Sequence, residues 1–180
     1  MYYLKDTGYI IRRFNTQEAD KYITILTQNN GKIDVLAKGI RKLSSKRAPN
    51  LELLNKISFQ AVGKGQGSRL VLTEVNLVKT HTGLKSTLEQ MKVLFTICEL
   101  VSVLCPANQR QEDIFRLIDT TLNELTTERY QFAIQSFQIK LLSSLGYWDA
   151  RHAFVDAADV QNFTESVMER KIRSSEFFKA

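Results

Sequence analysis

The sequence is poor in the residues that mark several common classes of protein. Its 180 residues include two cysteines, two histidines, two prolines and eight glycines. So few prolines and glycines exclude collagen-like and other low-complexity chains. No stretch approaches the roughly 18 to 20 consecutive apolar residues of a membrane-spanning helix, and the amino terminus lacks the basic and apolar segments of a secretory signal. We therefore expect no membrane association and a cytoplasmic location.

Cysteine and histidine are too sparse for the common metal and redox sites. Cys98 and Cys105 stand two helical turns apart, about 10.5 Å of rise, which is too far for a disulfide and is not a zinc-ribbon spacing. His81 and His152 have no partner motif, and the sequence contains no phosphate-binding loop or nucleophile motif. We expect buried cysteines, no metal, no cofactor and no catalytic residue.

The first half of the chain has the period-two pattern of β-strands. Asn29-Asn30-Gly31 is a strong hairpin signal, because Asn and Gly tolerate positive φ. A second turn is expected at residues 63–67. Five short strands within about 80 residues fit a small barrel or sandwich, and five is the strand count of an OB-fold. The segments with this pattern are 9–14, 22–27, 33–37, 54–62 and 70–78.

From residue 84 onward the apolar residues recur with the helical period of 3.6. Ser86 and Glu89 are spaced as a capping box at the first helix, and Gly146 is expected to end the third. A final helix is expected to hold Phe163, Val167 and Ile172. The predicted fold class is therefore α+β in two parts, with a five-stranded OB-fold barrel over residues 1–80 and an all-α helical bundle over residues 81–180.

Positive charge is concentrated in the β half. The whole chain carries a net charge of +6, but residues 1–79 hold 14 Lys and Arg against six Asp and Glu, a net +8, and the rest holds 11 against 13, a net −2. Residues 38–47, here called the basic loop, contain five cations and no acid. Cations so placed can follow a phosphate backbone; otherwise they form a solvated loop that keeps the protein soluble. The predicted DNA-binding residues are Lys38, Arg41, Lys42, Lys46 and Arg47, with Arg12 and Arg13 as weaker candidates.

Aromatic residues are interleaved with these cations, and single-strand binders stack bases on such rings. Most rings in so small a barrel are nevertheless expected to be core. We expect Tyr22 and Phe59 in the core and leave Tyr9 open.

Several short segments of the chain form a recognisable set. The most specific is Ala37-Lys38-Gly39-Ile40-Arg41, and the others are 18–27, 30–33, 72–75, Glu99-Leu100, Leu145-Gly146-Tyr147 and the terminal 165–178. Together they resemble the RecO family of bacterial recombination mediators. Lys38 and Arg41 belong to the most specific segment, whereas the other candidate cations rest on charge density alone.

One departure from the family concerns zinc. Many members carry a four-cysteine zinc module after the Leu-Gly-Tyr segment, but residues 148–162 contain no cysteine here. The resemblance therefore predicts a short form that lacks this module and binds no zinc.

The resemblance implies a non-enzymatic protein of DNA repair and homologous recombination in the RecF pathway. Such a protein binds single- and double-stranded DNA, anneals complementary strands and, with RecR, helps load RecA onto DNA coated with single-strand-binding protein, so a nucleoid-associated location is expected. Its helical domain receives the acidic, Phe-ended tail of single-strand-binding protein. Arg110, Arg116, Arg129 and Lys140 are open candidates for that contact.

Two other functions stay open at this point. An OB-type RNA-binding module, attached to the ribosome or to translation, has the same composition. A nuclease would need a magnesium site, but Asp34, Glu52 and Glu74 form no recognisable ligand set.

Overall fold

The computed structural model describes residues 1–16, 19–41, 47–65, 67–125, 130–149, 151, 153–154 and 156–176. The strands are β1 (Tyr2–Thr16), β2 (Asp20–Thr27), β3 (Gly31–Ala37), β4 (Lys56–Gly63) and β5 (Leu70–Lys79). The α-helices are α1 (Leu88–Leu104), α2 (Glu112–Glu124), α3 (Tyr130–Ser144), α4 (Ala157–Met168) and α5 (Arg173–Glu176). Short 3-10 helices span Ala48–Leu51 and Thr82–Lys85.

The chain divides into two compact units. The barrel unit consists of Met1–His81 and Pro106–Phe115, and the helical unit consists of Thr82–Cys105 and the described residues after Phe115. The barrel unit thus includes a segment from the second half of the sequence. The domain boundary between residues 80 and 81 stays a prediction.

The five strands close into a barrel in the order β1-β2-β3-β5-β4, with β4 paired back to β1. All neighbours are antiparallel except β3 and β5, which run parallel where Val35 faces Leu70 and Leu36 faces Val71. This is the closed Greek-key arrangement of an OB-fold. The predicted fold class, an OB-fold barrel followed by helices, is confirmed.

Strand β1 is long because two neighbours share it. Gly8 pairs with Ile57 of β4 and also with Thr27 of β2, and it lies where the two pairings overlap. A Cβ atom there would meet the Ile25 side chain and would lie 2.8 Å from the backbone oxygen of Leu26. Glycine therefore lets the neighbouring strand approach closely at this point.

The barrel interior is filled by the alternate residues of each strand. Ile23 and Ile25 of β2, Val35 of β3 and Phe59 of β4 are almost fully buried there, so the core position expected for Phe59 is confirmed. Tyr9, which the sequence left open, is fully buried and packs 5.4 Å from the ring of Phe115. At about 25 cal/mol per Å² of apolar area, burial of these side chains is the main stabilising contribution of the barrel.

The predicted hairpin turn joins β2 to β3, with Gly31 at φ +71°. Buried Asp6 of β1 accepts hydrogen bonds from the backbone N–H of Asn29 at 3.1 Å and from the side-chain amides of Asn29 and Asn30 at 2.9 and 2.7 Å. The Thr27 hydroxyl donates to the Gly31 carbonyl at 2.8 Å. These bonds hold the turn against β1.

In the helical unit, α1 packs against α3 and α5, and α3 packs against α4. The capping box of α1 lies one residue later than expected: the hydroxyl of Thr87 and the side-chain oxygen of Gln90 each accept the other's backbone N–H at 3.2 Å. Gly146 ends α3 with φ +77°, as predicted. The expected final helix is broken, because Glu169 adopts a left-handed conformation that ends α4 before Ile172.

Cys98 and Cys105 are buried, as expected. Among the described residues, no helix is both long enough and apolar enough to cross a membrane.

Candidate nucleic-acid interface

The basic loop begins in a turn that is fixed to the barrel. Lys38 and Arg41 follow directly after β3, and both side chains are exposed. Gly39 has φ +65°, and its N–H donates to the side chain of Asp20 at 2.8 Å. The N–H of Arg41 donates to the carbonyl of Ala19 at 3.0 Å. The turn is therefore held against the start of β2, and it presents two cations from a defined backbone.

The side chain of Arg47 binds the backbone of this turn. Its guanidinium donates to the carbonyl of Lys38 at 3.0 Å and to that of Leu72 at 3.4 Å, and the side chain is half-buried. Arg47 thus ties the basic loop to β5 and supports the backbone of Lys38. The other two predicted cations, Lys42 and Lys46, lie outside the described residues.

Arg12 and Arg13 point to opposite faces of β1, as strand alternation requires. Arg13 donates to the carbonyl of Leu51 at 2.9 Å and forms a 2.6 Å ion pair with Glu52. Arg12 is exposed, and its guanidinium lies 5.2 Å from the ring centroid of Phe14. Of the two weaker candidates, Arg12 is therefore the one that faces solvent on the outer surface of the barrel.

Two aromatic rings pair on that outer surface. Phe14 of β1 lies directly opposite Tyr22 of β2, with ring centroids 5.2 Å apart and planes 21° apart. Phe14 is 42% exposed and Tyr22 is half-buried. The core position expected for Tyr22 is wrong, because Ile23 and Ile25 point inward and the alternation turns Tyr22 outward.

A second guanidinium group lies near the ring of Tyr22. Arg69, exposed just before β5, lies 5.7 Å from the ring centroid of Tyr22. The four side chains therefore form a row, Arg12–Phe14–Tyr22–Arg69, here called the ring row. In the described part of the chain, neither Arg12 nor Arg69 forms an ion pair with a carboxylate.

The ring row lies next to the basic turn. Tyr22 pairs with Leu36, two residues before Lys38 along β3. Two residues of strand span about 6 to 7 Å, so the rings and the turn cations share one end of the barrel surface. Sequence reasoning missed Arg69 and the outward rings. The signal that could have found the rings is the inward pair Ile23 and Ile25, which places Tyr22 on the opposite face.

A polar cleft of about 640 Å³ adjoins Arg69 within the barrel unit. Lys32 of β3 and Arg110 of the 106–115 segment also line this cleft, and Arg110 is paired with Glu112 at 2.7 Å. Asp34 lines the cleft as well, so its charge is mixed and the cationic surface does not simply continue beyond Arg69. No group of three or more metal-ligating side chains occurs in the parts of the chain that the structure covers.

Two family models match this chain. The model described as Recombination protein O N terminal matches residues 1–81, and the model described as Recombination protein O C terminal matches residues 85–148. The chain belongs to the RecO family. The family resemblance expected from the short motifs is thereby confirmed, and the basic loop and the ring row lie in the amino-terminal RecO match.

Individual relatives agree with the family models. The chain is 32% identical to the DNA repair protein RecO of Symbiobacterium thermophilum over 143 residues, which is 78% of this chain and 55% of that protein. It is also 32% identical to the DNA repair protein RecO of Acetivibrio thermocellus over 149 residues, or 82% of this chain and 59% of that protein. The chain thus spans about half the length of the curated RecO relatives it matches.

A solved structure gives a weaker similarity. A chain in the crystal structure of the S. pombe Stn1-ten1 complex is 16% identical with a TM-score of 0.34, over 54% of this chain and 76% of that one.

Proposed function

We propose that the chain is a DNA repair and recombination mediator that binds single- and double-stranded DNA and anneals complementary strands. The observation that carries the proposal is the end of a RecO-family barrel on which exposed Lys38 and Arg41 lie beside the ring row. The net charge of +8 on residues 1–79 adds long-range attraction for a polyanion.

Annealing is a task that such a surface can perform without a nucleophile or a metal. Two strands must approach against the repulsion of their phosphates, and cations that neutralise phosphates lower that repulsion and release counterions. Phosphate contacts carry no sequence information. We therefore propose a protein with no catalytic step of its own, whose DNA binding shows no sequence preference and includes duplexes.

Removal of three cations of the basic loop should weaken the salt dependence of DNA binding. With Lys38, Arg41 and Lys42 replaced together by Ala, the log–log slope of affinity against salt is expected to flatten by about two to three units, because each phosphate contact contributes about 0.7 to 0.9. Fluorescence anisotropy with a labelled oligonucleotide at several salt concentrations measures it.

A matched control removes the same charge elsewhere. Lys5, Lys79 and Lys140 are exposed on β1, β5 and α3, and their replacement by Ala leaves the basic loop intact. An equal change of slope in both triple variants would mean that net charge, and not the basic loop, determines binding.

The mediator role is tested by annealing of two complementary oligonucleotides already coated with single-strand-binding protein. We expect the chain to accelerate duplex formation, RecR to influence the rate, and the Lys38, Arg41 and Lys42 variant to be slower than the Lys5, Lys79 and Lys140 control. Annealing of naked but not of coated strands would restrict the function to DNA binding and annealing, without the mediator role. Competition with single-stranded RNA of the same sequence separates this function from an RNA-binding module, since RNA readers use the 2′-hydroxyl.

The helical unit is the proposed contact for the acidic, Phe-ended tail of single-strand-binding protein. A cleft of about 240 Å³ between its helices combines the apolar side chains of Val93, Ile134 and Ile172 with the cation Lys92, and Glu89 also lines it. Such a combination suits a peptide that ends in an aromatic side chain and a carboxylate. Lys92 was not among the sequence candidates; Arg110, Arg116 and Lys140 do not line this cleft, and Arg129 lies outside the described residues.

A further inference from the structure

The outward-facing aromatic pair offers a kind of contact that the phosphate-binding cations do not. We propose that Phe14 and Tyr22 form a stacking site for unpaired nucleobases, so that this surface distinguishes single-stranded from double-stranded DNA. This inference rests on the proposed function and deepens it, because it assigns the preference for single-stranded DNA to Phe14 and Tyr22.

The first argument is the placement of the rings. Ile10 of β1 and Ile23 and Ile25 of β2 belong to the buried cluster inside the barrel, and that cluster includes neither Phe14 nor Tyr22. The rings instead pair across β1 and β2 on the outer surface, where Phe14 remains 42% exposed. Base stacking requires an exposed aromatic ring, and Phe14 offers its exposed part beside the guanidinium of Arg12. Every base presents a π-face to such a ring.

The second argument is the charge at both ends of the ring row. The guanidinium groups of Arg12 and Arg69 lie 5.2 and 5.7 Å from the centroids of Phe14 and Tyr22. Both are exposed, and in the described residues both lack a carboxylate partner, so they remain available to phosphate oxygens. Guanidinium planes also stack on bases. A pair of aromatic rings with a cation near each ring matches the bases and phosphates of a nucleotide strand.

The third argument is the adjacency to the basic turn. Because Tyr22 is paired with Leu36, the rings lie within two strand residues of Lys38. One strand of DNA can therefore place phosphates on the turn and bases on the rings at the same time. In a duplex the faces of the bases are already covered by their stacked neighbours, so a duplex can use the turn but not the rings.

The test compares single-stranded and duplex oligonucleotides of the same sequence. With Phe14→Ala or Tyr22→Ala, we expect single-strand affinity to fall about 5- to 30-fold, with duplex affinity and the salt slope of both forms unchanged. Phe132, 69% exposed on α3, is the matched control; Phe132→Ala should leave both affinities unchanged. Quenching of 2-aminopurine placed within the oligonucleotide is expected for the wild type and should be reduced in the ring variants.

Each other outcome overturns the inference. If both ring variants bind single strands as the wild type does, the rings are a packing pair of β1 and β2 only. If both forms of DNA are lost equally, the rings support the barrel instead of binding bases. Phe14→Trp keeps an aromatic face and is expected to keep the single-strand preference of the wild type, and loss of that preference in Phe14→Trp also overturns the inference. A wild-type chain that binds neither form would overturn the proposed function itself, which the same titration reveals.

Discussion

Alanine in place of Gly31 is expected to lower the free energy of unfolding by about 4 kcal/mol. Gly31 has φ +71°, a left-handed conformation that a side chain disfavours by about 1 to 2 kcal/mol. An added Cβ would also collide with the carbonyl group of Gln109 and lie 2.8 Å from its nitrogen. The obstacle is backbone, which cannot rotate away as a side chain can, so a substantial overpacking cost is added to the conformational one.

The collision is severe because the turn is held from both sides. On one side Asp6 binds the turn through Asn29 and Asn30. On the other, the N–H of Asn108 donates to the carbonyl of Lys32 at 2.9 Å, next to Gly31. Relief of the clash would require the 106–115 segment to leave the hairpin, and the hydrogen bond of Lys32 would be lost with it.

Two other glycines separate the conformational cost from the collision. Gly67 has φ +79° with open space around its Cβ position, so Gly67→Ala should cost only about 1 kcal/mol. Gly65 has no left-handed φ and nothing within 4 Å of its Cβ position, so Gly65→Ala should cost less than about 0.5 kcal/mol. Urea denaturation followed by far-UV circular dichroism measures all three variants. If Gly31→Ala proves no worse than Gly67→Ala, the hairpin is not clamped as described.

Strand periodicity predicted the barrel well, because its core positions alternate in short β-branched runs. It missed the first half of β1, residues 2–8. That segment contains Asp6 and Gly8, which sequence patterns assign to loops. Asp6 is buried because it binds the hairpin turn, and Gly8 is present because two strands meet there. Both reasons involve residues about 20 positions or more away, so a local pattern could not contain them.

At the candidate site, charge density located the basic loop but not the geometry around it. Arg13 and Arg47 look like the other cations in the sequence, yet the first pairs with Glu52 and the second holds the carbonyl of Lys38. Arg69 was not singled out, and it reaches Tyr22 because β5 runs beside β3 in the closed barrel. Composition predicts the sign of the charge on a surface. The closure of the barrel determines which cations lie next to the rings.

Spacing alone also failed to choose between two capping boxes. Ser86 with Glu89 and Thr87 with Gln90 both have the required three-residue separation. The structure uses the second pair, and the hydroxyl of Ser86 donates to the same Gln90 side chain at 2.9 Å. Gln90 is buried whereas Glu89 is exposed, and the carboxylate of Glu89 is left in solvent. Burial therefore selects the neutral partner, because a buried charge is costly.

Alanine in place of Glu99 is expected to destabilise the helical unit by about 3 kcal/mol. The Glu99 side chain is 12% exposed, and one oxygen accepts from the guanidinium of Arg170 at 3.0 Å and from the N–H of Arg173 at 3.1 Å. The other accepts from the N–H of Ser174 at 2.9 Å. Alanine would leave these donors, including the first N–H groups of α5, without their acceptor, and it would leave the charge of Arg170 uncompensated.

The measurement uses the fluorescence of Trp148, the one tryptophan of the chain, which stacks on Phe154 in the helical unit. The urea concentration at the midpoint of unfolding should be lower for Glu99→Ala than for the wild type. Glu99→Gln should lose less, because its amide oxygen can still accept one of the N–H groups while its amide nitrogen cannot. Glu89→Ala removes an exposed carboxylate from the same helix and should cost less than about 1 kcal/mol. Equal midpoints for Glu99→Ala and Glu89→Ala would show that α5 does not depend on this carboxylate. The expected order is alanine below glutamine below wild type. The difference between alanine and glutamine reports the hydrogen bond that an amide retains, and the difference between glutamine and wild type reports the remaining bonds and the ion pair with Arg170.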